Sequence, residues 1–146
     1  MLQFKSEWQA ALLYLLIAVM VVNVHFIGMA DIIIYGIHLS LYSLSAYVLY
    51  SLYLLGNSDD FIRHHLASAA GTFFVYFSLS SLYSGMMFVL GYEVSVISWP
   101  LLQQANFATW VALGPLLAVL LHTLMSAGRG MRMSLQGRDP EGRPTT

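Results

Sequence analysis

The chain has 146 residues, of which 58% are hydrophobic and only 9% are charged. Soluble domains carry roughly 25% charged residues, so this composition fits lipid as the surrounding solvent and excludes an ordinary soluble domain. The net charge of −1 gives no sign of a nucleic-acid partner, and the lack of cysteine excludes disulfides, thiolate metal sites and cysteine nucleophiles.

Four apolar segments predict an all-α integral membrane protein, a four-helix bundle built from antiparallel hairpins. Each segment is near or above the ~20 residues that a helix needs to cross a hydrocarbon core. The predicted helices cover about residues 8–27, 32–55, 66–90 and 105–126. Together they define a predicted membrane domain over residues 1–128, followed by a polar tail over 129–146 that we expect to be flexible.

The short connection between the first two helices requires a tight antiparallel hairpin, because only residues 28–31 separate them. After the second helix, Asn57, Ser58 and Asp59 supply side chains that cap helix starts. These polar breaks set the predicted helix limits.

The basic residues indicate the orientation. If the chain crosses the membrane four times, every lysine and arginine falls on one side: Lys5, Arg63, Arg129, Arg132, Arg138 and Arg143. Cytoplasmic loops are enriched in basic residues, so we expect both termini in the cytoplasm. We expect a multi-pass protein of a bacterial cytoplasmic (inner) membrane.

The second predicted helix carries polar side chains at helical spacing. These are Asp31, Tyr35, His38, Tyr42 and Ser45, at steps of four, three, four and three. Such steps place them on one face, and a polar face within a span normally points at other helices or at a cavity.

The first helix offers a matching face through Tyr14, Ala18, Val21 and His25. We expect this face to meet the second helix across the hairpin.

Three interpretations of this polar cluster remain open. His25, Asp31 and His38 could hold a Cu, Zn or Fe ion, or the two histidines could ligate haem b as a cofactor. The same groups could form a proton or ion path. Alternatively, they stabilise the helix packing through interhelical hydrogen bonds, with no ligand required.

A second polar cluster is predicted on the cytoplasmic side, formed by His64, His65 and His122. It could contact an anionic lipid head group, an acidic patch on a partner or a quinone, or it could simply mark the membrane interface. The leucines around His122 predict that this residue is enclosed.

The third helix is the expected packing centre. Its small residues share one face, which would let helix backbones approach closely. That face consists of Ala67, Gly71, Phe74, Ser78, Ser81 and Gly85.

No nucleotide-binding, metalloprotease or serine-hydrolase motif is present, so the sequence does not predict an enzyme acting on its own. We expect an accessory or structural subunit of a larger membrane complex, with lipids and other membrane subunits as partners and no nucleic acid. The alternatives are a haem- or metal-binding redox protein, or a small homo-oligomeric transporter, channel or holin-like protein.

Overall fold

The structure is a computed structural model that describes residues 2–27, 33–34, 37–56, 59–90 and 106–143. The predicted helical class is confirmed, since almost all of these residues lie in helices. The four helices are α1 (Leu2–Val22), α2 (Leu39–Leu55), α3 (Asp60–Val89) and α4 (Phe107–Leu135). A π-helical turn, Asn23–Ile27, continues α1, and two short strands, β1 (Ile33–Ile34) and β2 (Ile37–His38), pair antiparallel before α2.

Three of the helices are long and apolar enough to cross a membrane: α1 with its π-helical turn, α3 and α4. The fourth helix, α2, has 17 residues and is shorter. At ~1.5 Å per residue it is about 26 Å long, slightly less than the ~30 Å hydrocarbon core. Three of the four predicted spans are thus confirmed by length and composition.

The predicted start of the second helix was wrong. It was expected over residues 32–55, but α2 begins at Leu39, and His38 pairs with Ile33 in the strand ladder. His38 therefore does not share a helical face with Tyr42, as the four-three spacing predicted. Isoleucine-rich sequence favours strands because β-branched side chains fit a pleated surface. Asp31 and Tyr35 of the predicted face lie outside the described residues.

α3 begins at Asp60, before the predicted start at residue 66, because Asp59 caps it. The Asp59 carboxylate accepts a hydrogen bond from the backbone N–H of Phe61 at 2.9 Å, which satisfies one of the free donors of the first turn. Asn106 caps α4 in the same way, accepting from the N–H of Thr109 at 2.9 Å.

α4 ends at Leu135, ~2.5 turns beyond the predicted end at residue 126. Gly137 closes the helix with a left-handed backbone (φ 64°), which glycine adopts without steric cost. The N–H of Gly137 donates to the Ser134 carbonyl and the N–H of Arg138 to the Met133 carbonyl, both at 3.0 Å, which is the Schellman arrangement. The chain then turns through residues 139–143. The predicted domain boundary at 128/129 thus falls within a helix, and flexibility of the tail stays a prediction.

Hydrogen bonds between helices define their relative directions. Tyr14 of α1 contacts His65 of α3, and His25 contacts Tyr76. Both pairs are separated by 51 residues, so α1 and α3 run in the same direction. Tyr14 and His25 of the predicted polar face therefore form their hydrogen bonds with α3, where we expected the second helix.

α2 runs opposite to α1. Near the end of α1, the amide of Asn23 donates to the Ser43 hydroxyl at 3.1 Å. Near its start, the carbonyl of Gln9 accepts from the Tyr50 hydroxyl at 3.1 Å. The end of α1 therefore lies beside the start of α2, and the start of α1 lies beside the end of α2, so these helices form the predicted antiparallel pair.

α4 runs opposite to α3. The Tyr83 hydroxyl, late in α3, donates to the carbonyl of Ala112, early in α4. His65, early in α3, contacts the carbonyl of Arg138, just after α4. The starts of α1 and α3 and the end of α4 consequently lie together at one end, which we call the charged end. It holds the charged residues of the described chain: Lys5, Glu7, Asp59, Asp60, Arg63, Arg129, Arg132, Arg138, Asp139, Glu141 and Arg143.

The core lies around α1: both α1 and α3 pack against the other three helices, but 44% of the α1 span is buried against 22% of the α3 span. α1 contributes the buried side chains Leu13, Tyr14, Ile17, Met20 and Val21. The sequence placed the packing centre in the third helix, and this was wrong.

The predicted small-residue face of α3 turns away from the chain. Ala67, Gly71 and Gly85 are exposed, and the buried face of α3 carries Tyr76 and Tyr83 instead. A face of small residues can pack against any helix, so its composition did not indicate which helix it would meet.

Candidate functional site

The site is built around a buried pair of polar rings, His25 and Tyr76. The imidazole Nε2 and the phenol oxygen lie 2.9 Å apart, and the rings meet edge to face with centroids 5.8 Å apart. His25 sits in the π-helical turn that ends α1, and such turns occur often at functional sites. Tyr76 lies in the interior of α3, more than ten residues from either end.

A cavity of about 290 Å³ lies beside this pair, between the end of α1, the start of α2 and the middle of α3. Its apolar lining comes from Met20, Val24, Leu41 and Leu44. Leu41 is 51% exposed, so the cavity opens sideways to the outer surface of the helices and not toward the charged end.

α3 supplies the rest of the lining. Phe73 and Phe77 stack with centroids 5.8 Å apart and an interplanar angle of 23°, which makes one wall aromatic. Ser80, Ser81 and Ser84 add hydroxyl groups along the same helix. The cavity thus combines a large apolar surface with a few polar groups, the composition typical of small-molecule sites.

A second polar cluster contains Tyr14 of α1 and His65 of α3. Tyr14 comes eleven residues before His25, and His65 comes eleven residues before Tyr76, so this cluster lies ~16 Å nearer the charged end. His65 is fully buried there. Its Nε2 donates to the carbonyl of Arg138 at 2.8 Å, and in the neutral ring Nδ1 accepts from the Tyr14 hydroxyl at 3.1 Å. We call Tyr14, His65 and the Arg138 carbonyl the clasp, because they join α1, α3 and the segment after α4.

Gly130 of α4 provides the space that the Tyr14 ring of the clasp occupies. The Tyr14 ring packs against it so closely that an added Cβ would lie 2.3 Å from the ring. Only glycine leaves room for the ring at this point of α4. Packing therefore requires glycine at position 130, whereas Gly128 has open space around it.

The predicted metal and haem sites stay predictions. Asp31 and the side chain of His38 lie outside the described part of the chain, so their proximity to His25 stays a prediction. Within the part that is described, no three His, Asp or Glu side chains lie together as a metal-binding group.

The three histidines predicted as a cytoplasmic cluster occupy different environments. His65 is buried in the clasp, whereas its neighbour His64 is exposed beside a surface pocket formed with Asp139 and Arg143. His122 lies eight residues before Gly130 on α4, ~12 Å farther from the charged end, and it is exposed. The expectation that leucines enclose His122 was wrong, because those leucines lie on other faces of the same helix.

Tyr76 and the clasp were not recognised from the sequence. A signal was present: Tyr14 and His25 are eleven residues apart, and so are His65 and Tyr76. Eleven residues complete about three helical turns, so each helix presents two polar rings on one face at the same separation.

Comparisons with protein-family models, with curated proteins and with solved structures return no match for this chain. The function must therefore be inferred from the geometry of the chain itself.

Proposed function

We propose that this chain is an accessory or structural subunit of a larger complex in a bacterial cytoplasmic membrane, and that the outer face of α4 binds another subunit. The observation that carries the proposal is the position of His122. This ionisable side chain lies near the middle of a 29-residue apolar helix and faces away from the chain.

Such a position is unfavourable in lipid. The apolar part of α4 runs from Phe107 to Gly128, and His122 lies seven residues, ~10 Å, before Arg129, so it falls inside a hydrocarbon layer and not at its surface. Ionisable residues inside membrane spans almost always face other helices or a water-filled cavity. Within the described part of the chain, His122 has no hydrogen-bond partner, so a second protein is the natural source of one.

The neighbouring residues suit a close helix contact. Gly114, Ala118 and His122 follow one another at intervals of four residues, so they form a stripe along α4. Ala118 is exposed, and a side chain added at Gly114 would meet nothing within 4 Å. Small residues let a partner helix approach closely, and an interhelical hydrogen bond at His122 would fix its register.

The charged end supports the proposed orientation. All six basic residues lie there, and the positive-inside rule then places this end in the cytoplasm. The shorter α2 would complete a fourth crossing together with the segment before it, giving the antiparallel four-helix bundle with both termini cytoplasmic.

The test is co-purification of the tagged chain from its native membrane in a mild detergent. We expect the wild-type protein to migrate as a complex with other polypeptides in fixed stoichiometry. The substitution His122→Leu should release those partners while leaving membrane insertion intact. Met125→Leu, an exchange at an exposed apolar position one turn away, serves as the matched control and should retain them.

A wild-type chain that runs alone as a 16.3-kDa monomer would contradict the proposal, as would a His122→Leu variant that keeps its full set of partners. A complex made only of copies of this chain would also contradict it and would favour the homo-oligomeric transporter or channel instead.

A further inference from the structure

We propose that the cavity beside His25 and Tyr76 binds the ring of a lipid-soluble quinone. This inference concerns a small ligand and does not depend on a partner subunit, so it can fail while the proposed complex stands, and the reverse.

The position of the opening indicates that the ligand comes from the lipid phase. The cavity opens sideways between α2 and α3, past Leu41 and Phe77, which are 51% and 52% exposed. The His25–Tyr76 pair lies ~16 Å from the clasp, so the opening is remote from the charged end. The side chains at the opening are apolar and face outward from the helices, so a molecule dissolved in the bilayer meets the opening directly.

The size and walls of the cavity fit one flat ring. At about 290 Å³ it is at the lower limit of the ~300–1,000 Å³ range of small-molecule sites, which leaves room for a single ring but not for a macrocycle such as haem. Phe73 and Phe77 form one wall, and aromatic side chains favour offset-stacked and edge-to-face contacts with another ring. The apolar side chains of Met20 and Leu44 close the other side.

The polar groups fit an uncharged acceptor. The lining contains no Asp, Glu, Lys or Arg among the described residues, so a charged ligand would find no counter-charge. When the His25 Nε2 carries the proton, it donates to the Tyr76 oxygen, and the Tyr76 hydroxyl can then donate to a ligand. A quinone carbonyl is an uncharged acceptor on a flat ring, and its isoprenoid tail would leave through the sideways opening.

The binding experiment uses the full chain in phosphatidylcholine nanodiscs, titrated by calorimetry with decylubiquinone or with decylbenzene, which has the same alkyl chain but no carbonyl. We expect saturable binding of one decylubiquinone per chain, and decylbenzene bound at least about tenfold more weakly, the factor that one hydrogen bond contributes.

Two variants locate the site. Tyr76→Phe removes the hydroxyl and should weaken decylubiquinone binding about tenfold. Ser81→Phe, at an exposed lining position, places a ring in the cavity and should abolish binding without disturbing the core. Val75→Phe introduces the same ring at an exposed position outside the lining and is the control that should bind as the wild type does.

Equal affinity for the two compounds would show that the cavity binds any apolar molecule without recognising the carbonyl, and it would overturn the proposal. Failure of decylubiquinone to saturate the wild-type chain, or unchanged binding in Ser81→Phe, would overturn it equally. Ser81→Phe keeps the test decisive if Tyr76→Phe fails to fold.

Discussion

The substitution Gly130→Ala should destabilise the fold strongly, because it places a methyl group inside the space of the Tyr14 ring. The added Cβ would lie 2.3 Å from the nearest ring carbon, whereas carbon atoms in contact are ~3.5–4.0 Å apart. The fully buried ring would have to move by more than about 1 Å. That movement breaks its hydroxyl contact to the buried His65.

The expected magnitude follows from these two losses. Overpacking a core typically costs about 1–3 kcal/mol, and leaving a buried polar atom unpaired costs about 1–3 kcal/mol more. Gly130→Ala should therefore lower the free energy of unfolding by about 2–6 kcal/mol, which raises the unfolding equilibrium constant roughly thirty-fold or more.

The assay is reversible unfolding in mixed micelles by titration with dodecyl sulfate, followed by circular dichroism. Gly128→Ala is the matched control, because this glycine lies on the same helix, is exposed and has nothing within 4 Å of an added Cβ. It should unfold at or slightly above the wild-type midpoint, since alanine is the better helix former. Equal midpoints for the two alanine variants would refute the reasoning. In a Tyr14→Ala background, the cost of Gly130→Ala should largely disappear, because the clashing ring is gone.

Three further substitutions test the helix ends and the clasp. His65→Ala removes a buried ring with two hydrogen bonds and should cost about 2–4 kcal/mol, whereas His64→Ala, at an exposed position, should leave the unfolding midpoint unchanged in the same titration. Asp59→Ala should cost about 1 kcal/mol through loss of the α3 cap, while Asp60→Ala, whose carboxylate is largely exposed, should cost clearly less; equal losses would count against the cap. Gly137→Ala forces a side chain into a left-handed backbone at a cost of about 1 kcal/mol, and it should speed cleavage of the following segment by trypsin, with an unchanged rate as the contrary result.

The sequence predicted the helical class because its apolar runs are about 20 residues long and do not alternate in polarity, but it misplaced helix limits wherever local chemistry decides. Hydropathy falls between Asp60 and His65, so the third helix was expected to begin after them, although the Asp59 cap starts it earlier. At the other end of the chain, Arg129 and Arg132 suggested a tail, yet arginines are tolerated and even favoured near the end of a helix.

The start of α2 was missed for a different reason. The run from residue 32 to residue 38 combines isoleucines with Tyr35, Gly36 and His38, and a stretch of seven residues is ambiguous between helix and strand from periodicity alone. The strands before Leu39 pair with each other across only two intervening residues, so this stretch is decided by a local pairing and not by the helical spacing of its polar residues.

The candidate site could be predicted only in part. His25 was singled out because an imidazole within an apolar segment is unusual. Its partner was sought on the adjacent helix, because the hairpin connection is short. The pairing with Tyr76 depends on α1 and α3 lying side by side in the same direction, and that is a property of the packing and not of either segment.

The membrane topology is tested most directly by cysteine accessibility, which suits this chain because it has no native cysteine. Single cysteines are introduced at Gln136, at the charged end, and at Ala108, at the opposite end of α4. In intact cells treated with a membrane-impermeant maleimide, we expect Ala108→Cys to be labelled and Gln136→Cys to be labelled only after the membrane is disrupted. Labelling of Gln136→Cys in intact cells with Ala108→Cys protected, or labelling of both, would contradict the proposed orientation.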